Sequence, residues 1–178
     1  LGNLLQRNKF TVLTNPFGTV FNPLSIFNLL HRGLQGHQVH SDELVEHQGV
    51  WSHYDFHSSL SGIDPDQVTK NINERIAEVQ HFLKACDVVM ITFGTSFIYS
   101  LASTDNTVSN CHKHPGSWFT RRLLTMDEIT RGFEEIADRM PSTHFILTVS
   151  PVRHTRDTLP LNKVSKSLLR VASHYLTE

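Results

Sequence analysis

Cysteine is nearly absent from this chain: Cys86 and Cys111 are the only two in 178 residues. Two cysteines make no disulfide framework, and without a Cys-x-x-Cys they make no structural zinc site. A reduced, cytoplasmic setting is therefore the default expectation, although the sequence opens at Leu1 rather than Met and carries no visible targeting signal. An excess of one charge is also missing. Lys and Arg total 16 against 17 Asp and Glu, a net charge of −1 with neutral histidine. That balance offers no electrostatic basis for binding nucleic acid or an anionic membrane. No apolar run is long enough to span a bilayer. There is no Walker loop, no Gly-x-Gly-x-x-Gly and no Gly-x-Ser-x-Gly, so those nucleotide and hydrolase signatures are excluded and no cofactor is implied. Internal repeats and low-complexity segments are lacking too.

What remains describes one soluble globular domain spanning 1–178, with 39% hydrophobic and 19% charged residues. The compositional oddity is its 12 histidines, several in close pairs: His37 and His40, His53 and His57, His112 and His114. Lys9 to Thr14 reads as a short strand. Asn22-Pro23 opens a helix expected to run to about Leu30. Gln35 to Ser61 lacks clean periodicity, with an edge strand possible around Gln48 to Trp51. Asp64-Pro65 starts a helix whose stripe is Val68, Ile72, Ile76, Val79 and Leu83, ending near Cys86. Val88 to Phe93 is an apolar run of the kind buried in parallel sheets. Phe97 to Leu101 and Thr107 to Ser109 read as a hairpin around Asp105-Asn106. Thr125-Met126-Asp127-Glu128 is a capping box opening a helix that Pro141 stops. Phe145 to Val149 is a second buried strand. Pro160 to Tyr175 reads as a helix with Val164, Leu168, Val171 and Tyr175 inward. The alternation points to an α/β protein with a parallel sheet between helices.

Ligands in such folds bind beyond the carboxyl ends of the strands. Gly94-Thr95-Ser96 follows one strand and Ser150-Pro151-Val152-Arg153-His154 the other. Gly94 and Thr95 offer backbone donors for an oxyanion, and Gly18 in Asn15-Pro16-Phe17-Gly18 offers another. His154 stands where a base or ligand is useful. Trp51-Ser52-His53-Tyr54-Asp55-Phe56-His57-Ser58 and Asn110-Cys111-His112-Lys113-His114 are dense polar loops of the sort that line pockets. The candidate pocket residues are thus Asn15, Trp51, His53, His57, Asn110, His112 and His154. Cys111 beside histidines allows a thiolate nucleophile or a metal ligand, and ordinary turns and solvated loops remain the bland alternative throughout.

Taken together, these segments, followed by Asn162 and Ser165-Lys166, resemble the bacterial GSCFA domain family, related to the SGNH (GDSL-like) hydrolases. The resemblance covers nearly the whole chain. It implies a flavodoxin-like three-layer α/β/α sandwich and an esterase or acyltransferase acting on an ester or acylated carbohydrate. It also implies that the presumed serine nucleophile precedes Leu1 and that an Asp-x-x-His pair follows Glu178, so that these residues by themselves would be inactive. Gly18 and Gly94 match the glycines of two SGNH blocks; Thr95 departs from the asparagine used nearby. A metal-dependent hydrolase using His57, His112 and His154, and a non-catalytic ligand-binding domain, are the rival expectations. An exposed sheet face or strand edge, and with it self-association into a homo-oligomer, is expected if the flanking segments supply its cover.

Overall fold

Asn22 fixes the first long helix. In the computed structural model, which describes residues 1–153 and 157–177, its side chain accepts the Ser25 amide at 2.9 Å and Pro23 takes the first helical position. After a short α1 (Gly2–Arg7), this helix, α2 (Pro23–Gln35), passes the expected end at Leu30. Gly33 does not break it, because a Cβ there would lie 2.5 Å from Val79 Cγ1; the glycine is a packing contact. Gly36, in the left-handed region at φ 66°, is the true stop. Lys9 to Thr14 forms no strand: no strand pairs with it among the described residues, and Phe10 is left exposed.

The histidine-rich stretch holds more order than its composition suggests. β1 (Val45–His47) and β2 (Val50–Ser52) form a hairpin, with His47 opposite Val50. Gln48 and Gly49 both take positive φ, as a tight two-residue turn requires. Asp64 caps α3 (Pro65–Leu83), whose Val68, Ile72, Ile76 and Val79 are all buried. They share a core with Leu29 of α2, Phe17, Val39, Leu44 and Phe56.

β3 (Val88–Phe93) and β7 (His144–Val149) pair in parallel, from Val88 opposite His144 to Phe93 opposite Val149. β4 (Phe97–Leu101) lies between β5 (Thr107–Val108) and β6 (Phe119–Leu123) in an antiparallel sheet. The hairpin is as expected, whereas β6 carries no strand signal in its Phe-Thr-Arg-Arg-Leu sequence. The Thr125–Glu128 box caps α4 (Met126–Ala137), and α5 (Leu159–Tyr175) starts from Thr158. A second core joins Phe27, Ile91, Phe93, Ile98, Phe133 and Leu169 from α2, β3, β4, α4 and α5. Phe27 meets Phe93 and Phe133 edge-on, at 6.0 and 6.3 Å.

Two further expectations are corrected. The chain has the α/β class and a general helix–sheet–helix layering, but its strands form three small sheets, parallel and antiparallel, with no single continuous parallel sheet among the described residues. In α5 the inward face is Asn162, Ser165, Leu169 and Ala172, while Val164, Val171 and Tyr175 are 51%, 47% and 63% exposed. The helix turns small and polar groups, not its larger apolar stripe, toward the end of β3. No helix is long and apolar enough to cross a membrane among the described residues.

Candidate functional site

β3 and β7 end side by side, and the Ser150 amide donates to the Phe93 carbonyl at 2.8 Å. The chain then turns at Gly94. The Gly94 and Thr95 amides both donate to the Phe21 carbonyl, at 2.7 and 3.0 Å. A Cβ on Gly94 would lie 3.1 Å from that oxygen and from the Phe21 ring, so close approach is what demands glycine here. Gly18 is set by conformation: its φ is +84°, and its amide donates to the Asn15 carbonyl at 2.8 Å. His57 fills the space where a Gly18 side chain would go, and its amide donates to the Phe17 carbonyl at 3.2 Å. The three backbone amides nominated as oxyanion donors are therefore all engaged with carbonyl oxygens in this conformation.

α5 closes the same end. Ser165 is fully buried, and its Oγ accepts the Ser96 amide at 2.8 Å and lies 3.2 Å from the Thr95 hydroxyl. The Lys166 ammonium donates to the Gly94 carbonyl. Burial pulls the Lys166 pKa down from its ordinary value, with the Asp157 charge opposing. Asn162, one turn before Ser165, is 8% exposed, and its Nδ2 has no hydrogen-bond partner. Asp157 is 4% exposed: one carboxylate oxygen pairs with Arg121, while Oδ2 has no partner. The Arg121 guanidinium also sits 3.5 Å over the Phe97 ring. Asp157, Asn162, Ser165 and Lys166 thus belong to this site. In the sequence Asn162 and Ser165-Lys166 figure only among the segments of the family resemblance and Asp157 not at all, because a polar inward face is one that an apolar-stripe criterion passes over.

The two polar loops form one neighbourhood. The Tyr54 carbonyl accepts the Ser109 and Asn110 amides at 2.9 and 3.0 Å, and His112 Nε2 lies 2.9 Å from the His53 carbonyl. Asn110 Oδ1 accepts the His112 amide at 3.0 Å, holding a turn in which His112 and Lys113 both have positive φ. His53 is buried; its Nδ1 accepts the Asp55 amide at 3.1 Å and its Nε2 faces Glu43 at 3.6 Å. Burial lowers the pKa of His53 below 6.5 against the pull of Asp55, and likewise lowers that of His112. Trp51, half-buried in β2, exchanges backbone hydrogen bonds with Gly62. His57 turns away from this group and caps the Ser58–Leu60 turn through Nδ1. Asn15, Gly18 and His57 accordingly gather at one place, and His53, Asn110 and His112 at another. His154 lies outside the described residues.

Among the described residues, no three His, Cys, Asp or Glu side chains are placed to hold a metal ion. A cleft of ≈ 400 Å³ lies between α2 and α4, lined in part by His31, Arg32, Asp55 and Glu135. Its Arg32 is already paired with Asp55 at 3.2 Å. A second cavity, ≈ 340 Å³, opens beside Trp118.

The model of the GSCFA family matches residues 1–178, the full length of the chain. No curated protein and no solved structure matches it.

Proposed function

The chain belongs to the GSCFA family, and from that premise we propose that it is the scaffold of an SGNH-like hydrolase or acyltransferase working on an ester or acylated carbohydrate. The strand-end turn at Gly94-Thr95-Ser96 is its reaction centre. The attacking serine and the aspartate–histidine pair of this reading are those the family resemblance implies outside residues 1–178. The serine oxygen adds to the ester carbonyl carbon and the histidine takes the hydroxyl proton. The carbonyl oxygen becomes an oxyanion; its collapse expels the alcohol, which receives that proton. Water, or a second sugar hydroxyl, then removes the acyl group by the same steps.

One observation carries the reading: Asn162 Nδ2 is a buried donor with no acceptor, on the inward face of α5 one turn before Ser165, which bonds the strand-end turn. Buried polar groups are nearly always paired. A donor held ready in a dry site, aimed where negative charge develops, is the arrangement that stabilises an oxyanion. Asn162 would supply the asparagine that Thr95 does not. In this reading the Gly94 and Thr95 amides, now held by the Phe21 carbonyl, join the oxyanion hole when the Phe21 segment shifts, while Gly18 holds its own turn through the Asn15 carbonyl and joins the hole when that bond opens.

The test is aryl-ester turnover by the full-length gene product and by its Asn162→Ala variant. We expect kcat to fall roughly 10²–10³-fold with KM little changed, the usual cost of one oxyanion donor. An unchanged kcat removes Asn162 from the mechanism, and absence of turnover in the unaltered protein removes the hydrolase reading.

A further inference from the structure

Trp118 is an unusual place for a tryptophan. It closes the short 3-10 turn Gly116–Trp118 and is 50% exposed. One side of the indole is nonetheless supported: the His114 ring stands 5.0 Å away at 39°, and His114 is itself held by His47 at 4.6 Å and Tyr54 at 5.6 Å. His114 is 7% exposed, with no hydrogen-bond partner on either ring nitrogen, so what it contributes is a flat ring face. The Trp118 carbonyl is fixed as well, accepting the Ala102 amide at 2.8 Å. A large exposed aromatic braced from behind is a rigid platform.

Trp118 lines a cavity together with Leu101, Ala102, Ser103 and Ser117. No lining residue is charged. The Ser103 and Ser117 hydroxyls have no side-chain hydrogen bond among the described residues, which leaves two free donor–acceptor groups beside an indole face. The lining offers no positive charge to an anion, and its two hydroxyls favour a polar ligand over a purely apolar one. It suits a molecule with one C–H face to stack and a rim of neutral hydroxyls.

We propose that this cavity is a subsite for a neutral pyranose ring of a glycan, stacked on Trp118 and hydrogen-bonded by Ser103 and Ser117. The inference deepens the proposed function and rests on it for the position of the acyl group, though not for binding itself. β4 runs from the Gly94 turn to the cavity, and its five residues place the two roughly 13–17 Å apart at ~3.3 Å per residue. One sugar ring does not bridge that gap. The substrate class is therefore an acylated oligo- or polysaccharide rather than a small free ester.

The experiment is an NMR titration of the protein with cellotriose, maltotriose and chitotriose, following the Trp118 indole N–H and the Ser103 and Ser117 amides. At least one neutral glycan should shift these signals together at millimolar concentration. Trp118→Ala should weaken that binding by about tenfold, the worth of one aromatic stack. Should Trp118→Ala disturb the His114 loop, Ser103→Leu fills the cavity from an exposed position and must weaken binding as well. Failure of all three glycans to shift the signals overturns the proposal, as does binding that survives both variants or binding of charged oligogalacturonate alone. Glycan binding without ester turnover upholds the subsite and sinks the hydrolase; turnover without glycan binding does the reverse.

Discussion

Ser165 on α5 holds Ser96 at the end of β3, its hydroxyl oxygen accepting the Ser96 amide at 2.8 Å with both residues fully buried. The same oxygen lies 3.1 Å from the Ser96 hydroxyl and 3.2 Å from that of Thr95. One side chain therefore satisfies a backbone donor that no water reaches. Ser165→Ala leaves that donor unpaired, a loss of about 1–3 kcal/mol. Urea unfolding followed by circular dichroism should show the midpoint fall at constant slope. Ser165→Thr should restore part of it; an unchanged midpoint in the alanine variant would mean that the latch contributes nothing.

Gly18 gives a second prediction, of a different kind. Its φ of +84° is one that side chains rarely adopt, and an added Cβ would lie 2.2 Å from the His57 Cβ. Gly18→Ala must strain the backbone, at about 1–3 kcal/mol, and displace His57 from the turn it caps. His57→Gly in the same chain removes the clash but not the strained φ, so the double variant should recover only part of the loss. Full recovery would show that conformation plays no role at Gly18.

Much of the fold is legible in the sequence because its helix starts are written locally. Asn22-Pro23, Asp64-Pro65 and Thr125 with Glu128 all cap as their residue types require. The parallel pair is legible from its apolar runs. β6 is not, because what makes Arg121 and Arg122 tolerable in a strand lies elsewhere: Arg121 stacks on Phe97 and pairs with Asp157, and Arg122 pairs with Glu128. The gathering of small polar residues at the strand ends is likewise readable. The occupancy of their amides is not, since the Phe21 carbonyl that accepts them belongs to a distant segment. The inward face of α5 misleads for the same reason: Ser165 and Asn162 earn burial through tertiary partners and position, which hydropathy does not register.

Acid should destabilise the protein in two separate windows. Burial, foremost, lowers the pKa values of His53, His112 and His114 below 6.5 in the fold. The unfolded chain takes up these protons first, so stability is full above the unfolded value and falls as pH drops from 6.5 toward the folded values. Glu128 acts lower. The Arg122 guanidinium holds its carboxyl at about 2 against an ordinary 4.5, so its contribution is present above 4.5 and lost as pH falls toward 2. Thermal unfolding across pH should show both declines. His114→Phe keeps a ring between His47, Tyr54 and Trp118 but cannot titrate, so it should reduce the first decline and spare the second. An identical first decline in this variant would assign the effect to His53 and His112 alone.

The outer face of the β3–β7 pair is the remaining physical problem of the fold. Val88, Met90 and Ile146 lie on that face, 40%, 47% and 45% exposed, and Thr92 and Thr148 bond to each other beside them at 2.8 Å. Val89, Ile91 and Phe93 alternate to the other face and join the core, so a register slip is not the cause: the pleat places these aliphatic side chains outward. A contiguous apolar sheet face on a pair of strands with no third strand beside it among the described residues favours self-association. Residues 1–178 should therefore give a concentration-dependent increase in mass by light scattering. Met90→Lys with Ile146→Lys places charge on adjacent strands of that face without touching the core. This double variant should hold the monomer mass over the same concentrations with an unchanged far-ultraviolet spectrum. A wild-type chain already monodisperse as a monomer, or a double variant that still associates, would locate any association elsewhere on the surface. The exposed stripe of α5, with Val164, Val171 and Tyr175, would then be the next face to charge.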